Sequence, residues 1–237
     1  MSHLLPLTVQ GAETTHRGKR LVGPIDLTIE GAGATVIVGP NGSGKTTLLR
    51  LLHGAARLTR GEIAWNCPMD EAQLHQAFVF QRPVMLRRTV LENLIYPLKV
   101  RGTSKREARK SAVAWAAKIG LSDMIDRSAL VLSGGEQQKL ALARALITAP
   151  KVLFLDEPCA ALDGRATREV EVILQAAKQN GTRLILSTHD MGQARRLADE
   201  MLFMLGGKIH EFGPADTFFE AAQTASARAF LKGDIVE

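Results

Sequence analysis

Apolar and polar residues alternate at Ile25, Asp26, Leu27, Thr28 and Ile29, the period of a strand with one face buried and one face wet. Alternation of this kind predicts antiparallel sheet. Residues 35–38 are instead a short, mostly apolar run that enters a glycine-rich stretch, and leucines at helical spacing follow over Lys45–His53. The order predicted is strand, loop, helix. Residues 77–80 predict another strand. Residues 89–119 are mostly helix formers, and Pro97 and Gly102 are expected to interrupt them. Residues 152–155 and 184–186 are continuous apolar runs, as parallel strands covered on both faces require, and a helical segment follows each. Residues 201–205 and 208–212 flank Gly206-Gly207, a two-residue turn suited to a hairpin. The pattern predicts an α/β fold with an antiparallel part early in the chain and a helical region in its middle.

Composition narrows this picture. A length of 237 residues with 46% hydrophobic content fits one domain over 1–237. No apolar run reaches the ~18 residues of a membrane-spanning helix. The start, Met1 to Gln10, lacks a basic segment followed by a long apolar stretch, so a cytosolic chain without a secretory signal is expected. Cys67 and Cys159 are too few for a disulfide framework or a zinc site and are given no role. The formal charge of +6 favours association with anions in general and selects no fold. Its densest stretch, Lys99, Arg101, Lys105, Arg106, Arg109 and Lys110, reads as a solvated helix face or as a surface toward phospholipid head groups.

The chemistry is concentrated in three stretches. Gly39-Pro40-Asn41-Gly42-Ser43-Gly44-Lys45-Thr46 fits G-x-x-x-x-G-K-[ST], with Thr47 continuing the helix start. Glycines let consecutive N–H groups turn toward one phosphate chain, Lys45 reaches the β- and γ-phosphates, and Thr46 offers its hydroxyl to Mg²⁺. Average composition would produce the pattern by accident in roughly one such chain in a hundred. Asp156 and Glu157 end the apolar strand of residues 152–155. The first acid suits a metal beside the phosphates, and the second suits the attacking water as base or orienter. The third stretch is Leu132-Ser133-Gly134-Gly135-Glu136: Ser133 is a good N-cap, and two glycines bare the positive end of the helix dipole toward an anion.

This last stretch, followed by Gln137-Gln138 and a helical run, resembles the signature sequence of ATP-binding-cassette (ABC) proteins, and the resemblance extends over nearly the whole chain. It implies a P-loop (RecA-like) ATPase core with an antiparallel β subdomain and an inserted helical lobe over about residues 82–133. It implies ATP and Mg²⁺ as cofactors, and a head-to-tail homodimer in which Ser133, Gly134, Gly135 and Glu136 face the γ-phosphate of ATP held by the other copy. By the same resemblance Gln81 touches metal and water and joins the core to the lobe. Ala161-Leu162-Asp163 matches the loop that crosses the dimer interface, with Ala160 where many members have serine. His189 matches the switch histidine at the γ-phosphate, and His16 stands where members commonly stack an aromatic residue on adenine.

Membership of this kind leaves several functions open: a transport ATPase, a soluble cassette ATPase working on DNA or a protein assembly, and a nucleotide-gated scaffold without turnover. Lys45 and Ser133 lie too close in the chain to enclose the long coiled coil of DNA-repair members, so no nucleic-acid partner is expected. Glu157 and His189 are both present, against the scaffold. Short cell-division and iron–sulfur-assembly members share this form and stay open. A separate cassette of this size resembles importers, on the inner face of the cell membrane, with integral permease subunits and an extracytoplasmic solute-binding protein as partners. Residues 80–88 and 96–102 look like those of tungstate-type oxyanion systems, with other small solutes as alternatives.

Overall fold

The computed structural model describes residues 4–236. The chain opens on an antiparallel ribbon of β1 (Leu7–His16) and β2 (Lys19–Ile29), in which Leu7 faces Ile29 and Val9 faces Leu27. Next come β3 (Ala34–Val38), which starts a second sheet, and α1 (Lys45–His53). Then β4 (Arg60–Trp65) pairs antiparallel with β1, giving a three-stranded sheet in the order β2-β1-β4. After α2 (Met69–Leu74), β5 (Gln76–Val79) joins the second sheet.

The middle of the chain is helical: α3 (Val90–Val100), α4 (Lys105–Lys118), two short 3-10 turns, and α5 (Gly134–Leu146). Gly102 separates α3 from α4, as the sequence suggests, but Pro97 lies inside α3 and does not end it. The helix tolerates the missing N–H because its first turn is fixed by a capping box, Thr89 with Glu92, and because Leu91, Leu94 and Leu98 are buried on one face. Tertiary packing outweighs the local loss.

The remaining elements alternate: β6 (Val152–Asp156), α6 (Gly164–Gln179), β7 (Arg183–Ser187), α7 (Met191–Leu197), the hairpin β8 (Glu200–Leu205) and β9 (Lys208–Pro214), then α8 (Ala215–Ala221) and α9 (Ala225–Lys232). The second sheet is six-stranded, in the order β5-β6-β7-β3-β8-β9, and parallel except for the last pairing. Alternate residues of its strands feed two separate cores. Ile37, Phe154, Ile185 and Leu202 pack toward α1 and the antiparallel sheet. Val36, Leu153, Leu155, Leu184 and Phe203 pack toward the helices on the other face. Burial on both sides explains why these strands read as unbroken apolar runs. It also brings the C-terminal ends of β3, β6 and β7 together at one edge, where an open α/β sheet binds its ligands.

Candidate nucleotide site

The loop between β3 and α1 curls over its own lysine. Lys45 Nζ donates to the carbonyls of Gly39 at 2.8 Å and Pro40 at 3.0 Å. Gly44, the N-cap of α1, has φ 102°, and a Cβ there would lie 2.7 Å from Val22 Cγ2. Only glycine fits that position. Ser43 Oγ is buried and has no hydrogen-bond partner among the described residues. The loop walls a cavity of about 540 Å³ whose lining includes Asn41, Gly42, Thr46 and Thr47 on one side, and Gln81, Glu157 and His189 on the other. Burial lowers the Lys45 pKa from the ordinary lysine value, while the charges of Glu157 and Asp156 oppose that shift.

Opposite the loop stand the two acids. Asp156 is the last residue of β6 and is 3% exposed, and its Oδ1 accepts hydrogen bonds from Thr46 Oγ1 at 2.8 Å and Ser187 Oγ at 2.9 Å. Glu157 follows with φ 44°, a left-handed conformation uncommon for a non-glycine residue. Its N–H lies 3.1 Å from both the carbonyl and the hydroxyl oxygen of Ser187. The reversed backbone turns its carboxylate toward Gln81 and His189: Oε2 is 3.1 Å from Gln81 Nε2 and 3.1 Å from His189 Nδ1. Three separate strand ends thus meet at one carboxylate. Ser187 carried no sequence signal as a site residue, because its contacts arise from the pairing of β6 with β7, which sets Asp156 opposite Ser187.

Other expected residues lie elsewhere. Ser133, Gly134, Gly135 and Glu136 line a second cavity of about 610 Å³ together with Asp163, and this cavity shares no lining residue with the first. Ser133 is the N-cap of α5, and its N–H and hydroxyl each lie 2.8 Å from Glu136 Oε2. These bonds hold the Glu136 pKa below the usual carboxylate value. Asp163 caps α6 by accepting from the N–H groups of Arg165 and Ala166. His16 ends β1 at an exposed position, paired with Lys19, and is not in the lining of either cavity.

Beside Gln81 two apolar side chains are exposed, next to the exposed Arg82. Phe80 is 42% and Val84 64% exposed. The segment that carries them is tied to the helices by a buried polar knot: Asn93, fully buried, accepts from Leu86 N–H at 3.1 Å and from Arg144 Nη1 at 3.0 Å, and Arg144 Nη2 donates to the Val84 carbonyl. Neither Asn93 nor Arg144 stands out in the sequence, since nothing local marks a helical Asn and Arg as one network. Among the described residues no helix is long and apolar enough to cross a membrane.

Comparison with known proteins agrees with this geometry. The pattern of the family described as ABC transporter matches residues 22–160. A tungstate uptake system ATP-binding protein of Peptoclostridium acidaminophilum is 36% identical, over 91% of this chain and 100% of that one. An L-cystine import ATP-binding protein of Bacillus subtilis is 34% identical over 95% of this chain and 97% of its own length. A solved dimeric ATP-binding cassette, in a post-hydrolysis state with ADP and Pi, superposes with a TM-score of 0.78 at 25% identity, over 88% of this chain and 98% of that one. A phosphate-loop lysine, a strand-end acid pair and a separate glycine-bared helix start, in a chain matched along nearly its whole length, lead to one assignment: the chain belongs to the ABC transporter family and is one of its ATP-binding, ATP-hydrolysing members.

Proposed function

We propose that this chain energises a multi-subunit membrane importer, and that the cargo is tungstate or a related oxyanion. The observation that carries the transport reading is the join at Gln81. Its side chain touches the Glu157 carboxylate, and the residues around it, Phe80 and Val84, expose apolar surface of the kind a partner covers. A membrane subunit seated there would sense, through one amide, whether the catalytic carboxylate is engaged. In this reading residues 1–237 act as one domain, with residues 82–133 as the lobe that the partner moves.

The site residues take the following roles. N–H groups of residues 41–47 and the dipole of α1 receive the phosphate chain of ATP, and the buried Ser43 hydroxyl and Lys45 ammonium add donors. The donor set fits Mg²⁺ as part of the substrate complex: one carboxylate from Asp156, the Thr46 hydroxyl and the Gln81 amide are sparse, as suits a cation that keeps water and phosphate oxygens as its other ligands. When bound, Mg²⁺ neutralises charge on the phosphate oxygens. Glu157 orients and deprotonates the attacking water with its second oxygen, while Gln81 and His189 steady the first. His189 then contacts the γ-phosphate.

Because the Ser133 cavity does not share the lining of the Lys45 cavity, each phosphate chain would be closed by Ser133, Gly135 and Asp163 of a second copy, in a symmetric head-to-tail dimer. His16 lies outside the lining and would reach adenine only where the base projects from it. The cassette does not select cargo, so specificity rests with permease subunits and an extracytoplasmic binding protein. Tungstate uptake by one relative supports the oxyanion, and cystine import by another supports a different solute. Reconstitution with the permease and binding protein in liposomes tests the proposal. ATP hydrolysis should rise severalfold with tungstate or molybdate and not with cystine, and should lose that response without the binding protein. Stimulation by cystine alone would reassign the cargo, and co-purification with a soluble assembly partner instead of a permease would remove transport.

A further inference from the structure

Ser187 is the only hydroxyl residue in β7 and is fully buried at the end of the apolar run Leu184, Ile185 and Leu186. A buried hydroxyl among leucines is unfavourable unless it is hydrogen-bonded. Here both of its capacities are spent on the two acids. Its single proton goes to Asp156 Oδ1 at 2.9 Å, and its oxygen accepts the Glu157 N–H at 3.1 Å. Its carbonyl accepts the same N–H. The strand itself is central in the sheet, and Ser187 is paired on one side with β6 through Asp156 and on the other with β3 through Ile37.

The consequences differ for the two acids. Asp156 Oδ1 receives hydroxyl protons from Thr46 and Ser187 together, so the carboxylate, whose terminal torsion is otherwise soft, has one orientation. Glu157 sits at φ 44°, and the hydroxyl is the side-chain group that holds its N–H there. An apolar residue of similar size would pack equally well in β7 and would leave both settings looser. We propose that Ser187 is a positioning residue for hydrolysis, acting through Asp156 on metal binding and through Glu157 on the attacking water. This rests on the assignment of those acids to metal and water given above.

Ser187→Ala, Ser187→Cys and wild type should be compared by Mg-ATP turnover, by Mg²⁺ titration and by the affinity of a fluorescent ATP analogue. The phosphate loop is untouched, so analogue affinity should stay within about twofold of wild type. The alanine variant should lose about tenfold in kcat and need severalfold more Mg²⁺ for half-maximal rate. Cysteine, close in size and a weaker donor, should fall between. Wild-type kcat in the alanine variant would overturn the proposal. So would equal losses of affinity and kcat in both variants, which is the behaviour of a merely disrupted strand. A wild-type chain without Mg-ATP hydrolysis would count against the catalytic reading of the site itself.

Discussion

Lys45 is an ammonium held mostly away from water, and its hydrogen-bond partners in the described structure are two loop carbonyls, Gly39 and Pro40. Phosphate oxygens would replace weak acceptors with charged ones, at ~1.5–3 kcal/mol per hydrogen bond to a charged group. Lys45→Ala should therefore weaken ATP binding roughly ten- to a hundredfold. Burial also gives this contact a pH signature. The lysine of the free protein loses its proton below the ordinary value of 10.5 and must regain it to bind phosphate, so affinity should fall on the alkaline side from a lower pH than a free lysine would set. Titrating ATP affinity against pH, with Lys45→Arg as the variant that removes the alkaline limb, checks both statements. At this scale the sequence was informative wherever the chemistry is contiguous. Residues 39–47 and the pair Asp156-Glu157 are consecutive, and their types alone state a phosphate loop and an acid pair. Ser187, Asn93 and Arg144 were silent because their partners lie far along the chain and meet only through strand register and helix packing. The reversed backbone of Glu157 was silent too, since glutamate carries no preference for positive φ.

Among the elements, α1 is the one on which the site depends most, because the glycine-rich loop leads directly into its first turn, which carries Lys45, Thr46 and Thr47. Gly44→Ala puts a methyl 2.7 Å from Val22 Cγ2 at φ 102°, and should destabilise the protein by ~1–3 kcal/mol while shrinking the rise in Tm that Mg-ATP produces. Gly102→Ala is the control. At φ 77° with nothing within 4 Å, it should cost only about 1 kcal/mol and leave the ATP-induced rise intact. Thermal unfolding with and without Mg-ATP separates the two. Element boundaries followed from periodicity where one signal ruled, as in α1 and the hairpin of β8 and β9. They failed where signals competed: Pro97 argued for a break that the capping box and the buried face of α3 overrode. Strands β1 and β4 and helix α2 were not foreseen. β1 contains three irregularities of register against β2, which disturb the simple alternation a strand is recognised by.

For the whole molecule, the arrangement of cavities matters more than any one of them. One cavity is lined by Lys45, Glu157 and His189, while the other is lined by the bared start of α5, and no lining residue is common to both. In the proposed head-to-tail dimer these are two half-sites, and pairing two copies would complete both. The resemblance carried by the sequence already implied that Ser133–Glu136 face the nucleotide of another copy, and the two linings, which share no residue, agree with that expectation. Hydrolysis by Glu157 at a site two chains share is tested by light scattering with nucleotide counting on Glu157→Gln. With Mg-ATP this variant should become a dimer retaining two unhydrolysed ATP, its turnover reduced by about 10²–10⁴ from loss of the general base, and adding Ser133→Arg should return it to monomer. Wild-type turnover by Glu157→Gln would remove Glu157 from the hydrolytic step, and an ATP-saturated variant that stays monomeric would contradict the shared site.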